Sequence, residues 1–211
     1  MQIEILPPDI NFGESEFSAD HGAIRYGLSA IKSLGAPMIR AIVEERNENG
    51  KYQSLRDFIE RMSGRELNKR AIENLIKAGA LDQVAGNRRQ KLMVYAEIVD
   101  AVNQEKKNAM TGQMSLFDIM GEEDKKSFEI RLPDVGEYAK ESKLAFEKEV
   151  LGVYISGHPM EEYEEKWKKN ITRVTSDFIL DEETGSTESM MVRVLWVGGM
   201  IAEKTVKYTK K

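Results

Sequence analysis

Two places in this chain set cations beside tight turns, the arrangement that binds phosphate. The first is the run Leu28-Ser29-Ala30-Ile31-Lys32-Ser33-Leu34-Gly35-Ala36-Pro37-Met38-Ile39-Arg40-Ala41-Ile42. Its apolar spacing suits two short helices meeting at a turn, and such a turn aims the backbone N–H groups of the second helix at one phosphate. Gly35 lets the phosphate come close, Ala36 follows it, and Lys32 and Arg40 add charge. Ser33 occupies the position of the first turn glycine. The second place lies between Arg65 and Lys91, where seven cations face three anions, a local excess of four in a chain of net charge −5. There Asn87, Arg88 and Arg89 begin a helix after a second turn, so cation and helix dipole act together. Lys69, Arg70 and Lys91 reinforce them. The plainer alternative for both places is a structural helical hairpin with a solvated charged face.

A third pattern is Gln113-Met114-Ser115-Leu116-Phe117. Two adjacent apolar residues in a polar stretch suit a peptide that fills an apolar pocket on a partner, with the Gln113 amide fixing its orientation. The alternative is that Leu116 and Phe117 dock on the chain's own helices. Catalytic chemistry has less support. The acids are scattered or occur in runs such as Glu122-Glu123-Asp124 and Asp181-Glu182-Glu183, which read as solvated loops. His21 and His158 are far apart in sequence, each beside a turn, and read as structural. With no cysteine there is no disulfide framework and no thiolate metal site.

The elements that must position these residues follow from hydrophobic period. Ile3 to Leu6 alternate as a strand and stop at Pro7-Pro8; Asp9 to Asp20 is polar and aperiodic. Leu55, Phe58, Ile59 and Met62 form a helix with Ser54 as N-cap. Asn68 to Ala78 forms another, with Ile72, Leu75 and Ile76 on one face and Gly79 ending it. The exit helix runs from about Asn87 to Asn103, with Leu92, Tyr95, Ala96, Val99 and Val102 inward. Residues 104–140 are polar and read as a linker. Glu141 to Tyr154 is a helix ending before Gly157-His158-Pro159, and Glu161 to Lys168 a short charged one. Met190 to Tyr208 alternates as β-structure, with Trp196 in its core.

At 211 residues there is room for one or two cores. Net charge −5 excludes coating of nucleic acid over the whole surface, so DNA contact must be local. The N-terminus has no signal-peptide pattern and no apolar run reaches a membrane span, so the expected home is the cytoplasm, away from membranes.

Five ordered blocks carry a resemblance: Leu6-Pro7-Pro8-Asp9-Ile10-Asn11, Ile24 to Leu28, Leu75 to Asp82, Gln113 to Phe117, and Glu147-Lys148-Glu149-Val150-Leu151-Gly152-Val153-Tyr154-Ile155-Ser156-Gly157-His158-Pro159. Together they resemble the region behind the catalytic core of the bacterial DNA polymerase III alpha subunit. The resemblance implies a mainly α fold: a tandem helix-hairpin-helix domain, a polar linker, then a helix and the first strands of a truncated β-barrel, the OB-fold. On this map residues 1–23 are the tail of the preceding core and residues 24–103 bind duplex DNA. Residues 104–140 carry the peptide for the sliding clamp (the beta subunit) at Gln113, Met114, Ser115, Leu116 and Phe117. Residues 141–189 connect, and residues 190–211 start an incomplete OB-fold. It implies a parent enzyme, a DNA-directed DNA polymerase using Mg²⁺ and meeting other replisome subunits. The palm carboxylates that would hold that metal are expected upstream, so this stretch is expected to be non-catalytic and without cofactor. Two other readings stay open: a helical protein-protein scaffold without DNA contact, and a tandem-hairpin module of a repair nuclease.

Overall fold

The structure, a computed structural model, describes residues 3–65, 67–110, 130–172, 196, 198–201 and 204–206. Among the described residues the chain is mainly helical with one small sheet. It divides into two units, Met1–Gly157 and His158–Lys211.

The first unit opens with three short strands, β1 (Ile5–Leu6), β2 (Ser18–Asp20) and β3 (Ala23–Arg25). Their order is β1-β3-β2, with β1 parallel and β2 antiparallel to β3. His21 and Gly22 form the two-residue turn between β2 and β3, both with positive φ (48° and 89°), which matches the twist of the flanking strands. His21 is thus a turn residue, as its place in the sequence suggested.

The polar stretch after β1 is tied into the core of this unit. Ile10 is buried and its N–H donates to the Ala80 carbonyl at 3.0 Å. Asn11 and Tyr52 exchange hydrogen bonds, 2.9 Å from Asn11 Nδ2 to the Tyr52 carbonyl and 2.8 Å from the Tyr52 N–H to Asn11 Oδ1. The buried Arg46 guanidinium donates to the carbonyls of Ile10 (3.1 Å) and Gly13 (2.7 Å). Residues 10–13 are therefore tied to the helices through Ile10, Asn11 and the Arg46 guanidinium.

Where two short helices were expected over Leu28–Ile42, a single turn of 3₁₀ helix (Leu28–Ala30) precedes one long helix, α1 (Ala36–Asn49). Gly27 and Ile31 are both extended, which leaves only three residues between them. A Cβ at Gly27 would meet the backbone of Ser15 and Glu16, so no side chain fits there. Helix α2 (Leu55–Met62) starts at Ser54, whose Oγ accepts from the Asp57 N–H at 3.1 Å, and α3 (Lys69–Lys77) at Asn68, which accepts from the Ala71 N–H at 2.9 Å. Both bury the expected apolar faces, Leu55, Phe58, Ile59 and Met62 in α2 and Ile72, Leu75 and Ile76 in α3, where Ala71 is buried as well.

Helix α4 (Arg88–Met110) runs seven residues past the expected end at Asn103. Its inward residues are Val94, Ile98 and Val102, while Leu92, Tyr95 and Val99 are only partly buried. Helix α5 (Lys140–Leu151) stops at Gly152, which takes the left-handed φ of 79°. Its Val150 joins the core, and the Val150 carbonyl accepts from the Lys32 N–H at 3.0 Å.

In the second unit a 3₁₀ turn (Glu161–Tyr163) leads into α6 (Glu164–Asn170). Thr172 and Trp196 pair through two 3.0 Å hydrogen bonds. Trp196 is 66% exposed, which corrects its expected place in a core. Most of the strands expected over residues 190–208 lie outside the described residues.

Candidate nucleic-acid interface

The first hairpin presents an open helix start. Gly35 caps α1 with an extended backbone (φ −80°, ψ 152°), Pro37 stands in the first turn, and no side chain closes the cap. The amides of Ala36 and Met38 have no carbonyl beneath them in the helix. Gly35, Ala36 and Pro37 are exposed, whereas Met38 and Ile39 anchor the helix in the core. Ser33 takes a positive φ of 69°, a conformation usually left to glycine, so the turn keeps its shape without one. Arg40, the fifth residue of α1, is exposed and forms no ion pair among the described residues. Lys32 is also exposed, but its Nζ donates to the Glu149 carbonyl at 2.5 Å and so ties the hairpin to α5.

Gly35 differs from its fellow turn glycines in what holds it. At Gly79 the backbone has φ 82° and a Cβ would strike the Arg88 guanidinium. Gly35 has no such demand: its φ is ordinary, and a Cβ would meet only Pro37 Cδ at 3.6 Å, normal contact. Ser, Asp or Asn would cap the helix better. Nothing inside the described fold requires a glycine here.

The second hairpin joins α3 to α4, and its cations divide between surface and interior. Arg89 and Arg70 are exposed, and Lys69 pairs with Asp100 at 2.7 Å on the surface. Arg88 and Lys91, expected to face phosphate, are buried at 3% and 0% exposure. This corrects the sequence reading. The Arg88 guanidinium donates to Asp82 (2.8 to 3.1 Å), to the Lys77 carbonyl (3.2 Å) and to Glu147 Oε1 (3.3 Å). Burial works against its charge, but Asp82 and then Glu147 outweigh that and raise its pKa. Glu147, itself 1% exposed, accepts from the N–H groups of Ile155 (2.9 Å) and Ser156 (3.0 Å) on its other oxygen. Arg88 thus fastens the hairpin to α5, and through Glu147 to the segment that follows it.

Lys91 places its ammonium among the carbonyls of Leu81 (2.8 Å), Val84 (3.0 Å) and Gly86 (2.5 Å). Burial lowers its pKa, against the nearby charges of Asp82 and Glu137. A signal for both burials exists in the sequence: Arg88 and Lys91 continue the Val94, Ile98, Val102 stripe toward the helix start at spacings of three and four. Their positive charge hid the stripe.

The start of α4 is also covered. Asn87 and Gln90 form a reciprocal cap, with Asn87 Oδ1 accepting from the Gln90 N–H at 2.8 Å and Gln90 Oε1 from the Asn87 N–H at 2.9 Å. Asn87 Nδ2 donates to the Val135 carbonyl (2.9 Å) and Gln90 Nε2 to the Pro133 carbonyl (2.7 Å). Residues 130–138, expected to be linker, therefore lie along the helix start, with Ile130 and Leu132 packed on the core. The peptide Gln113–Phe117 lies outside the described residues. His158 Nδ1 accepts from the Met160 N–H at 3.1 Å, a turn contact. Among the described residues no group of three or more His, Asp or Glu is placed to hold a metal ion. No described helix is long and apolar enough to cross a membrane.

Comparison with known proteins agrees with this architecture. The helix-hairpin-helix motif family matches residues 2–91. The chain is 35% identical over 189 residues to a DNA polymerase III subunit alpha of Borreliella burgdorferi, covering 90% of this chain and 16% of that protein. It is 40% identical over 162 residues to that of Chlamydia pneumoniae, covering 76% of this chain and 13% of the relative. With the Vibrio cholerae protein the figures are 35% over 212 residues, 100% of this chain and 18% of the relative. The chain thus spans less than a fifth of the length of these relatives. Family match, sequence identity along most of the chain and the two hairpins on one core agree: this chain belongs to the DNA polymerase III alpha subunit family.

Proposed function

We propose that this chain is a non-catalytic, duplex-binding and clamp-tethering region of a bacterial replicative DNA polymerase. The observation that carries the reading is Gly35. It is a glycine that the fold does not need, at the exposed start of a 14-residue helix, beside an exposed arginine with no ion pair among the described residues. Room left outside the fold at that point suits a phosphate resting on the amides of Ala36 and Met38 with Arg40 alongside. Arg70 and Arg89 offer further charge. Contact of this kind holds the backbone and reads no bases. A protein-protein scaffold without DNA contact gives no reason for a glycine at this exposed helix start.

Salt titration tests the duplex contact. Arg40→Glu is expected to weaken binding equally for unrelated sequences and to flatten the dependence of log K on log salt by roughly 0.9. Fluorescence anisotropy at several salt concentrations measures both; unchanged affinity would count against the first hairpin.

The clamp contact is proposed from sequence alone. Leu116 and Phe117 would fill an apolar pocket, with Gln113 hydrogen-bonded at its rim and Met114 and Ser115 between. Two such side chains contribute about 1.5–3 kcal/mol each, which after the cost of ordering the peptide leaves roughly micromolar affinity. Such weak contact becomes effective beside duplex contact, since joining two modules raises avidity by about 10²–10⁴. Replacing Leu116 and Phe117 with Ala is expected to remove most binding to the sliding clamp in a calorimetric titration, with duplex affinity and Tm unchanged. A fall in Tm would mean that these side chains belong to the chain's own interior.

A further inference from the structure

The Glu137 carboxylate accepts from the N–H groups of Arg88 (3.2 Å) and Arg89 (3.3 Å), the first two amides of α4. These are the donors that a phosphate would take at the second hairpin. We propose that Glu137 is an internal stand-in for that phosphate, closing the second hairpin until a DNA phosphate displaces it; this rests on the reading of the hairpins as duplex-binding.

Four features fit a removable occupant. Both bonds are long for an amide donating to a carboxylate, where about 2.7–2.9 Å is usual, whereas Glu137 accepts from its own neighbour Tyr138 N–H at 2.8 Å. Glu137 and Arg89 are both exposed, so an incoming anion reaches the site without unfolding anything. The strap that carries Glu137 has its own anchors, Leu132 on the core and the Val135 and Pro133 carbonyls on Asn87 and Gln90, so losing the carboxylate contact does not free the whole segment. The Arg89 guanidinium rests 5.9 Å from the Tyr138 ring centre, beside the contested amides, and adds cationic charge for whichever anion is there. Burial raises the Glu137 carboxyl, but the amides of Tyr138, Arg88 and Arg89 outweigh it, so the carboxyl lies below its usual value and is an anion at neutral pH.

The test uses the full chain, isotope-labelled, as wild type and as Glu137→Gln, titrated separately with inorganic phosphate and with a duplex of arbitrary sequence at low salt. In the variant the Arg88 and Arg89 amide resonances are expected to move with phosphate while those of the wild type stay still. Duplex affinity should rise roughly three- to ten-fold, because the phosphate no longer has to displace a carboxylate. Variant amides that ignore phosphate overturn the proposal, as do wild-type amides that respond equally. Measurable duplex binding that the substitution leaves unchanged overturns it too. Amides that respond in the variant alone, with no duplex binding by either protein, uphold the carboxylate as occupant of an anion site and overturn the duplex reading. Should Glu137→Gln not fold, Leu132→Ala loosens the strap with the carboxylate intact and is expected to expose the same amides to phosphate.

Discussion

Replacing Arg88 with Met is expected to cost about 3–5 kcal/mol of stability, the usual penalty for leaving a buried charge without its partner. The charge left behind is Glu147, which is as buried as any core leucine and has no other cation within ion-pair distance among the described residues. Asp82 suffers less, because its side chain is 39% exposed and water can replace the guanidinium. The Lys77 carbonyl also loses a donor. For a unit of this size the loss corresponds to a Tm lower by roughly 10 °C, measurable by calorimetry. Two companions separate charge from bulk. Adding Glu147→Gln to Arg88→Met removes the orphaned charge yet keeps an oxygen for the Ile155 and Ser156 amides, and should restore part of the loss. Arg89→Met, on the surface one residue away, should change stability by no more than about 0.5 kcal/mol. Equal effects of the two single substitutions would show that Arg88 is not the tie between hairpin and α5 described above.

That pair of neighbours also marks how far the sequence could be read. Signals that act over a few residues were legible: the Ser54 cap, the apolar faces of α2 and α3, the glycine stop at Gly79; the stop at Gly152 was not, and the helix expected to reach Tyr154 ends at Leu151. Each of the legible signals is decided by atoms within one or two helical turns. The Arg88 interaction is decided by Glu147, 59 residues along, and a cation count says nothing of which way a side chain points. The same holds for the strap: Pro133, Val135 and Glu137 look like linker until Asn87, Gln90 and the first amides of α4 are seen to bind them. The ties of the opening segment are backbone and single-side-chain contacts, Ile10 to Ala80 and Asn11 to Tyr52, which leave no period in the sequence. At the candidate site Gly35, Ala36 and Arg40 are exposed, while in the second hairpin Arg88 and Lys91 turn inward to hold the turn.

The central claim, that the start of α1 meets a DNA phosphate, is tested most directly at Gly35, because there the fold and the ligand make opposite demands. A side chain at this position points into open solvent with ordinary backbone angles, so neither Gly35→Ala nor Gly35→Leu should change stability by more than about 1 kcal/mol. A phosphate on the Ala36 and Met38 amides would have to occupy the volume that a leucine side chain fills. Losing a hydrogen-bonded contact to a charged group costs about 1.5–3 kcal/mol, so Gly35→Leu is expected to weaken duplex binding by about ten-fold or more, with Gly35→Ala between it and the wild type. The measurement is duplex affinity at low salt for the three proteins, each checked by thermal unfolding. Graded loss of affinity at constant Tm is the result expected here; equal affinity of all three would contradict it.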